Sequence, residues 1–392
     1  MEDVVIVSAC RTAIGRHGGA LRNLSALDLT IPVMRELTRR ADVEPGLIED
    51  VIWGCNYQKT YLENNLARVA AVKSGMPVSV PGITVHRNCT SSMSAVQMGY
   101  YQIRCKEADV ILAGGTDSMS NASYTVEKMR WGSRLGHVEM RDSMWDSLTN
   151  LGVGPAMGMT AENLAEKYGV TRQEQDAFSL LSHERAIRAI DEGRFKEEIL
   201  PLEVKERKKI IMFDTDEHPR RDATLEALSS LKPVFKKDGT VTAGNASGIN
   251  DGASGVLLMS GKRAAELNLS VMARIVSTAT VGVDPDIMGI GPVYATEKAL
   301  KKAGLTLEQV ELVEINEAFA AQYLACEKAM GLNRDITNVN GSGIALGHPV
   351  GCTGTRIMTT LLYEMERRDV KKGLATLCAG GGMGTAVILE RP

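Results

Sequence analysis

Thr84-Val85-His86-Arg87-Asn88-Cys89-Thr90-Ser91-Ser92-Met93-Ser94 is the stretch on which the reading of this chain turns. Pro81 and Gly82 mark a turn before it, and Ile83–Val85 read as a short buried strand. Beyond Ser91, the apolar residues Met93, Val96, Met98 and Ile103 recur at helical spacing. Cys89 therefore falls at a strand-to-helix junction, where Thr90, Ser91 and Ser92 offer N-cap side chains. The first turn of a helix leaves N–H groups unpaired and carries the positive end of the dipole. A thiol there is expected to have a lowered pKa and to act as a nucleophile. Taken alone, the stretch equally accommodates a small buried cysteine chosen for packing.

Outward from Cys89, strand and helix signals alternate. Val4–Ser8 reads as a strand, Arg11–Gly19 as a glycine-containing loop, Ala26–Arg39 as a helix and Asp50–Trp53 as a strand. Asn65–Ser74 reads as a helix, and Asp109–Gly115 as a buried strand ending in glycines. The alternation predicts an α/β layered fold with a mostly parallel sheet. Between Ser118 and Gly248 the pattern changes. Met119–Met159 has poor periodicity, Thr160–Tyr168 and Arg172–Glu192 are helical, and Lys232–Asn250 is a glycine-rich loop. Thr171 and Glu174 have capping-box spacing before the second of these helices.

From Met272 the first pattern returns. Ala273–Ser277 parallels Val4–Ser8, Glu311–Ile315 parallels Asp50–Trp53, and Gly373–Cys378 parallels the strand before Gly115. Asn338-Val339-Asn340 leads through a glycine-rich turn into the helix Gly354–Arg367. An internal duplication follows: residues 1–118 with 249–271 form one half, 272–392 the other, and 119–248 an inserted loop domain expected to carry binding. Sites in such folds gather where loops converge at strand C-terminal ends.

Composition narrows the function. The 392 residues are 44% hydrophobic and 24% charged, ordinary for a soluble globular protein, and a length of this kind suggests roughly two to three domains. With five Phe and three Trp, the core must lean on aliphatic residues. A net charge of −3 and the lack of a basic, aromatic-interleaved patch argue against nucleic acid. The run Lys205–Lys209 reads as a solvated face. No stretch has the length of a membrane span, and the N-terminus does not read as a signal peptide. Seven cysteines, an odd number without CxxC or zinc-ligand spacing, argue against a disulfide framework or a metal site and for the cytoplasm.

Three further stretches carry chemistry: Glu314-Ile315-Asn316-Glu317-Ala318-Phe319-Ala320, Asn340-Gly341-Ser342-Gly343-Ile344-Ala345-Leu346-Gly347-His348-Pro349-Val350-Gly351, and Cys378-Ala379-Gly380-Gly381-Gly382-Met383-Gly384. Their glycines let backbone approach a ligand and aim N–H groups at it. Singly, His348 reads as well as a core histidine, Cys378 as a packed thiol and Asn316 as a loop brace.

Together, in this order, Asn88-Cys89, Asn316-Glu317-Ala318-Phe319, Gly347-His348-Pro349-Val350-Gly351 and Cys378-Ala379-Gly380-Gly381-Gly382 resemble the thiolases. Thr240–Gly248 and Met157–Asn163 extend the resemblance, which runs from about residue 4 to 390. It implies a thiolase fold: two βαβαβαββ halves in a layered αβαβα arrangement with an inserted loop domain. It implies Claisen condensation of two acetyl-CoA to acetoacetyl-CoA and the reverse thiolysis, or a 3-ketoacyl-CoA thiolase of broader chain length. A non-catalytic acyl-CoA or lipid-binding protein of this fold is a third reading. In the resemblance Cys89 is the nucleophile, His348 its base and Cys378 the acid/base at the α-carbon. Asn316 fixes a water that with His348 makes one oxyanion hole, and the N–H groups of Cys89 and Gly380 make the other.

CoA contacts fall by the same resemblance to Ser247, Ala243, Phe235, Leu148, Met157, Ala318, Phe319 and Met288, with Arg220 at the adenine end. No cofactor or metal is implied. The partners are acyl-CoA substrates and copies of the chain, as a dimer or a tetramer with Ser123–Met140 as tetramerisation loop. The chain departs from the usual pattern in Thr90-Ser91-Ser92 for Gly-Ser-Gly, in His86 for Asn, in Ser342-Gly343 for Gly-Ala and in Ala156 for a His preceding Met-Gly.

Overall fold

A computed structural model describes residues 2–59, 61–206 and 209–392. Arg207 and Lys208, in the middle of the charged run at 205–209, lie outside the described residues. The strands that organise the fold are β1 (Val4–Thr12), β2 (Asp50–Gly54), β3 (Gly82–Val85), β4 (Val110–Ser118), β5 (Asn250–Ser260), β6 (Ala273–Gly282), β7 (Leu312–Ile315), β8 (Lys372–Ala379) and β9 (Met383–Glu390). The principal helices are α1 (Ala26–Ala41), α2 (Ser91–Arg104), α3 (Met157–Tyr168), α4 (Arg172–Asp191), α5 (Gly291–Ala303), α6 (Ala320–Met330) and α7 (Thr353–Arg367).

The strands run in the order β7-β8-β9-β6-β1-β5-β4-β2-β3. The order is palindromic about the β6–β1 contact, so that β1, β5, β4 and β2 match β6, β9, β8 and β7. The segment around Thr337 adds a parallel bridge to Val313 where β3 pairs with β2. Even irregularities repeat: the β1–β5 register shifts between Ile6 and Ser8, and the β6–β9 register between Ile275 and Ser277. The duplication read from the sequence is thus built into the hydrogen-bond ladder.

The layers follow from three apolar clusters. One joins α1 and the helix Leu66–Lys73 to one face of the first half, through Val51, Trp53, Leu112 and Leu257. Another joins α3, α5 and α6 to the outer face of the second half. Between them α2 and α7 form a shared middle layer: Met93, Val96 and Ile103 pack with Ile357, Leu361 and Met365 against strands of both halves. Both helices are buried along most of their length, and their buried polar side chains find protein partners: Gln97 Nε2 donates to Thr278 Oγ1 at 3.0 Å and Thr359 Oγ1 to Thr355 O at 2.9 Å. Their approach is close; a Cβ on Gly354 would lie 2.6 Å from the backbone N of Met93.

Three expectations require correction. The sheet is not mostly parallel: the outer strands of each half pair in parallel, as does the end of β1 with Ile199–Leu200, while the central ladders are antiparallel. The reason is that β8 and β9 form a tight hairpin and β5 returns directly beside β4 after the insertion. Ile83–Val85 is a strand, but as β3 it is the sheet edge, and Ile83 is 44% exposed. Arg11 is not in a loop. The β1–β5 ladder continues through Arg11, whose buried guanidinium pairs with Glu198 at 2.6 Å and Asp216 at 2.7 Å, tying β1 to the insertion. The capping box of α4 forms as expected, with Thr171 N–H donating to Glu174 Oε2 at 2.6 Å and Glu174 N–H to Thr171 Oγ1 at 3.2 Å. Among the described residues, no helix is long and apolar enough to cross a membrane.

Candidate active site

Cys89 lies between β3 and α2, in a loop held by its neighbours. Asn88 adopts φ 46°, a left-handed conformation that asparagine tolerates. The expected N-cap chemistry is not made. Thr90 Oγ1 donates to Arg87 O at 2.9 Å, Ser91 Oγ donates to Asn88 O at 2.7 Å, and Ser92 Oγ donates to Cys352 O at 3.1 Å. These hydroxyls brace the loop instead, since the chain turns too sharply before α2 for a side chain to reach back along the helix.

The second thiol, Cys378, is fully buried near the end of β8. After it the chain reverses through Gly381 and Gly382, at φ 87° and 84°, values that exclude most side chains. The reversal brings Gly380 over the nucleophile loop, where Asn88 Nδ2 donates to Gly380 O at 2.8 Å. The backbone N–H groups of Gly380 and Cys89 favour the Cys89 thiolate.

Asn316 follows β7, and its position is clamped from both sides. Ile315 N–H donates to Asn338 Oδ1 and Asn338 Nδ2 donates to Ile315 O, each at 2.8 Å, while a further bond reaches Glu317 Oε1. Asn316 Nδ2 lies 3.5 Å from His348 Nε2. Its Oδ1 is buried without a partner, an acceptor open to a bound water or substrate group. His348 N–H donates to Asn250 Oδ1 at 3.0 Å. Asp117 joins the two loops: it accepts from Asn56 N–H at 2.8 Å and Gly351 N–H at 2.5 Å, and Asn56 Nδ2 in turn reaches Asn88 O at 3.2 Å.

The electrostatics reverse one expectation. Burial pushes the Cys89 thiol up to about 11, against the lowering by the Gly380 and Cys89 N–H groups. The helix terminus does not outweigh desolvation, because no cation among the described residues offsets it and the nearby Asp117 carboxylate opposes ionisation. Burial also raises Cys378 well above the ordinary thiol range, with Cys89 adding to the effect. His348 is pushed down to about 3 by burial, then by the Arg356 charge. At neutral pH the site holds two protonated thiols and a neutral imidazole.

The residues expected at CoA divide. Ser247 N–H donates to Ala318 O at 2.9 Å, and Ala246 bridges Phe319. Phe319 meets Phe235 edge-to-face at 6.4 Å between centroids. Met157, Met288, Ala318, Phe319 and Phe235 belong to the apolar cluster that also holds Cys378. Met157 Sδ and Leu151 Cδ1 lie over Gly380. Ala243 and Arg220 are exposed, and Leu148 sits half-buried on the short helix Ser143–Thr149. Arg221 is engaged with Asp191 at 2.6 Å, whereas Arg220 makes no ion pair among the described residues.

Asn250, Asp117, Leu151 and Thr353 act at the site and had no signal in the sequence. Asn88 was visible only as the neighbour of Cys89.

A duplicated α/β protein whose paired middle helices and hairpin loops gather a half-buried thiol, a buried thiol, an imidazole and an amide with an orphaned oxygen defines a class equipped for nucleophilic and acid–base chemistry. Residues 4–262 match the family model for the thiolase N-terminal domain and residues 269–391 that for the thiolase C-terminal domain. The chain belongs to the thiolase family. It is 52% identical to an acetyl-CoA acetyltransferase of Pseudomonas aeruginosa, with all of both chains covered. It is similar to the crystal structure of the Bacillus anthracis acetyl-CoA acetyltransferase, at 49% identity and TM-score 0.98 over 100% of this chain and 99% of that one. Human mitochondrial 3-ketoacyl-CoA thiolase is likewise similar, at 45% identity and TM-score 0.98 over 100% and 99%.

Proposed function

We propose that this chain is an acetyl-CoA C-acetyltransferase that interconverts two acetyl-CoA with acetoacetyl-CoA and CoA through an acyl-Cys89 intermediate. The observation that carries the mechanism is the meeting of the two halves, where the Asn88 Nδ2–Gly380 O bond sets the Cys89 loop against the hairpin after Cys378 and Asn316 Nδ2 lies 3.5 Å from His348 Nε2. The names of the relatives above support the substrate.

In thiolysis, Cys89 Sγ attacks the ketone carbon while its proton passes to His348 Nε2. The carbonyl oxygen, now an anion, is held by preorganised donors, each worth about 10²–10³ in rate. The Cα–Cβ bond then breaks, its electron pair enters the acetyl-CoA enolate, and Cys378 delivers its proton to Cα. CoA thiol transfers its proton to Cys378 and its sulfur attacks the acyl-Cys89 thioester. Cys89 leaves as thiolate and recovers its proton from His348. Every proton is returned, and the cycle calls for no metal or organic cofactor. Condensation is the reverse. A thiol held protonated suits Cys378 as the acid at Cα.

Ser247, Ala243, Phe235, Leu148, Met157, Met288, Ala318 and Phe319 line the approach of the pantetheine arm in this reading, with Arg220 at the adenine end. The seven free cysteines suit a reducing cytoplasm, and the assembly is a dimer or tetramer, which a mass measurement in solution decides. Ala156, where the resemblance leads one to expect histidine, favours a second reading as a 3-ketoacyl-CoA thiolase of broader chain length. A binding-only role would need neither thiol.

The test is mass spectrometry after incubation with acetyl-CoA. One acetyl group should appear on the Cys89 peptide, in the native chain and in Cys378→Ser. The variant should then fail at condensation. Acetylation elsewhere, or none, rejects the proposal; thiolysis that is fastest on long 3-ketoacyl chains selects the second reading.

A further inference from the structure

We propose that Thr353 is a positioning residue that fixes the tautomer of His348, so that Nε2 of the neutral ring is left unprotonated as the proton acceptor. This rests on the reading of His348 as the base for Cys89.

Thr353 is the first residue of α7 and is fully buried. Its hydroxyl has one proton and lone pairs to accept with. Oγ1 lies 2.8 Å from Pro349 O, which can only accept, so the hydroxyl proton is committed there. Oγ1 also lies 2.6 Å from His348 Nδ1. With its proton spent, Oγ1 can only accept from the ring, and Nδ1 must carry the hydrogen. In a neutral imidazole that leaves Nε2 unprotonated. At the other end of the ring Nε2 faces the Asn316 amide, whose Nδ2 lies 3.5 Å away.

The geometry leaves this arrangement little freedom. Thr353 N–H also donates to Pro349 O, at 3.0 Å, closing the turn that carries the histidine. The histidine backbone is held by Asn250. Arg356, one turn further along α7, is fully buried with Nε and Nη1 unpartnered, and its charge favours the neutral ring. A neutral imidazole free to choose would spend part of its time with hydrogen on Nε2, where it cannot take the Cys89 proton. Thr353 removes that state. When Nε2 does take the proton, the electron pair stays on Sγ for attack, and Nδ1–H remains bonded to Oγ1. The same proton later leaves from Nε2 to the departing sulfur.

Thr353→Val keeps the shape and deletes the hydroxyl, whereas Thr353→Ser keeps the hydroxyl. The readout is the single-turnover rate of acetyl transfer from acetyl-CoA to Cys89, with His348→Ala alongside. Thr353→Val should slow transfer by about 10²-fold, the scale of a lost general base, while KM for acetyl-CoA stays within about twofold. Thr353→Ser should return it to within a few-fold of the native rate. Nitrogen NMR of ¹⁵N-histidine-labelled protein, with His348 assigned from the His348→Ala spectrum, should show hydrogen on Nδ1 in the native and serine forms and on Nε2 in the valine form. Should the valine variant not fold, Thr353→Ala replaces it with the same expected loss. The proposal is overturned if removal of the hydroxyl leaves transfer at the native rate while His348→Ala abolishes it, or if serine is as slow as valine. Native-rate transfer in His348→Ala would instead reject the histidine as base, a separate result.

Discussion

Asn88 Nδ2 donates to the carbonyl oxygen of Gly380 at 2.8 Å, across 292 residues of chain. It is the direct bond between the loop that carries Cys89, in the first half, and the hairpin that follows Cys378, in the second. Both proposed oxyanion N–H groups, of Cys89 and Gly380, adjoin it. Asn88→Asp tolerates the same left-handed backbone but replaces the donor by an acceptor facing a carbonyl. We expect kcat to fall by about 10–10²-fold, less than the outright loss of an oxyanion donor, with the thermal midpoint changed by only a few degrees. Steady-state thiolysis and a melting curve check this; native kcat would show that the bond does not set the donor geometry.

Gly380→Ala tests the same hairpin from above. A Cβ there would meet Leu151 Cδ1 at 2.7 Å and Met157 Sδ at 3.1 Å. Both are ends of flexible side chains, so the protein should fold, but the hairpin or its ceiling must move. We expect a loss of at least about 10-fold in kcat/KM, and partial recovery when Leu151→Ala is added, since the two sites share a contact. Strict additivity of the two substitutions would contradict the predicted clash.

The thiol pKa values set the pH dependence of labelling. Cys89 is raised to about 11, so its thiolate fraction at pH 7 is small and grows about tenfold per pH unit up to that value. Iodoacetamide labelling of the free protein should therefore keep rising through pH 9 and 10 instead of levelling near the ordinary thiol value. His348, pushed down to about 3, stays neutral throughout this range and adds no step. Peptide mapping of labelled Cys89 against pH measures this, and a plateau below pH 9 would contradict it.

Chain length is the open specificity. Ala156 directly precedes α3 and is followed by Met157, which sits over Gly380. Refilling this place with imidazole should shorten the acyl space. Each methylene excluded from an apolar pocket forfeits about 0.8 kcal/mol, a factor of roughly four. Ala156→His should lower kcat/KM for 3-ketohexanoyl-CoA several-fold more than for acetoacetyl-CoA. An equal effect on the two substrates would place Ala156 outside the acyl pocket.

What the sequence determined by itself was the periodic and the local. The duplication was legible because each half repeats its strand and helix pattern, and because strand residues buried on both faces must be apolar. The helix after Cys89 was legible from Met93, Val96 and Ile103, and the capping box of α4 from Thr171 and Glu174. Cys89, His348, Cys378, Asn316 and Gly380 could be singled out through motif order alone. Their spacing along the chain implied no contact.

Tertiary structure decided what depends on distance. The direction of the central ladders was hidden because β5 lies beside β4 only after an insertion of 130 residues that runs from 119 to 248, as read in the sequence. Asp117, Asn250 and Thr353 were invisible because each acts through a hydrogen bond to a loop whose position is fixed elsewhere. The rise of the Cys89 pKa could not be read from its place before a helix, because desolvation depends on everything packed around the sulfur and here exceeds the pull of two N–H groups. Local pattern selects the elements; burial and the loops that converge on it decide the protonation of the groups between them.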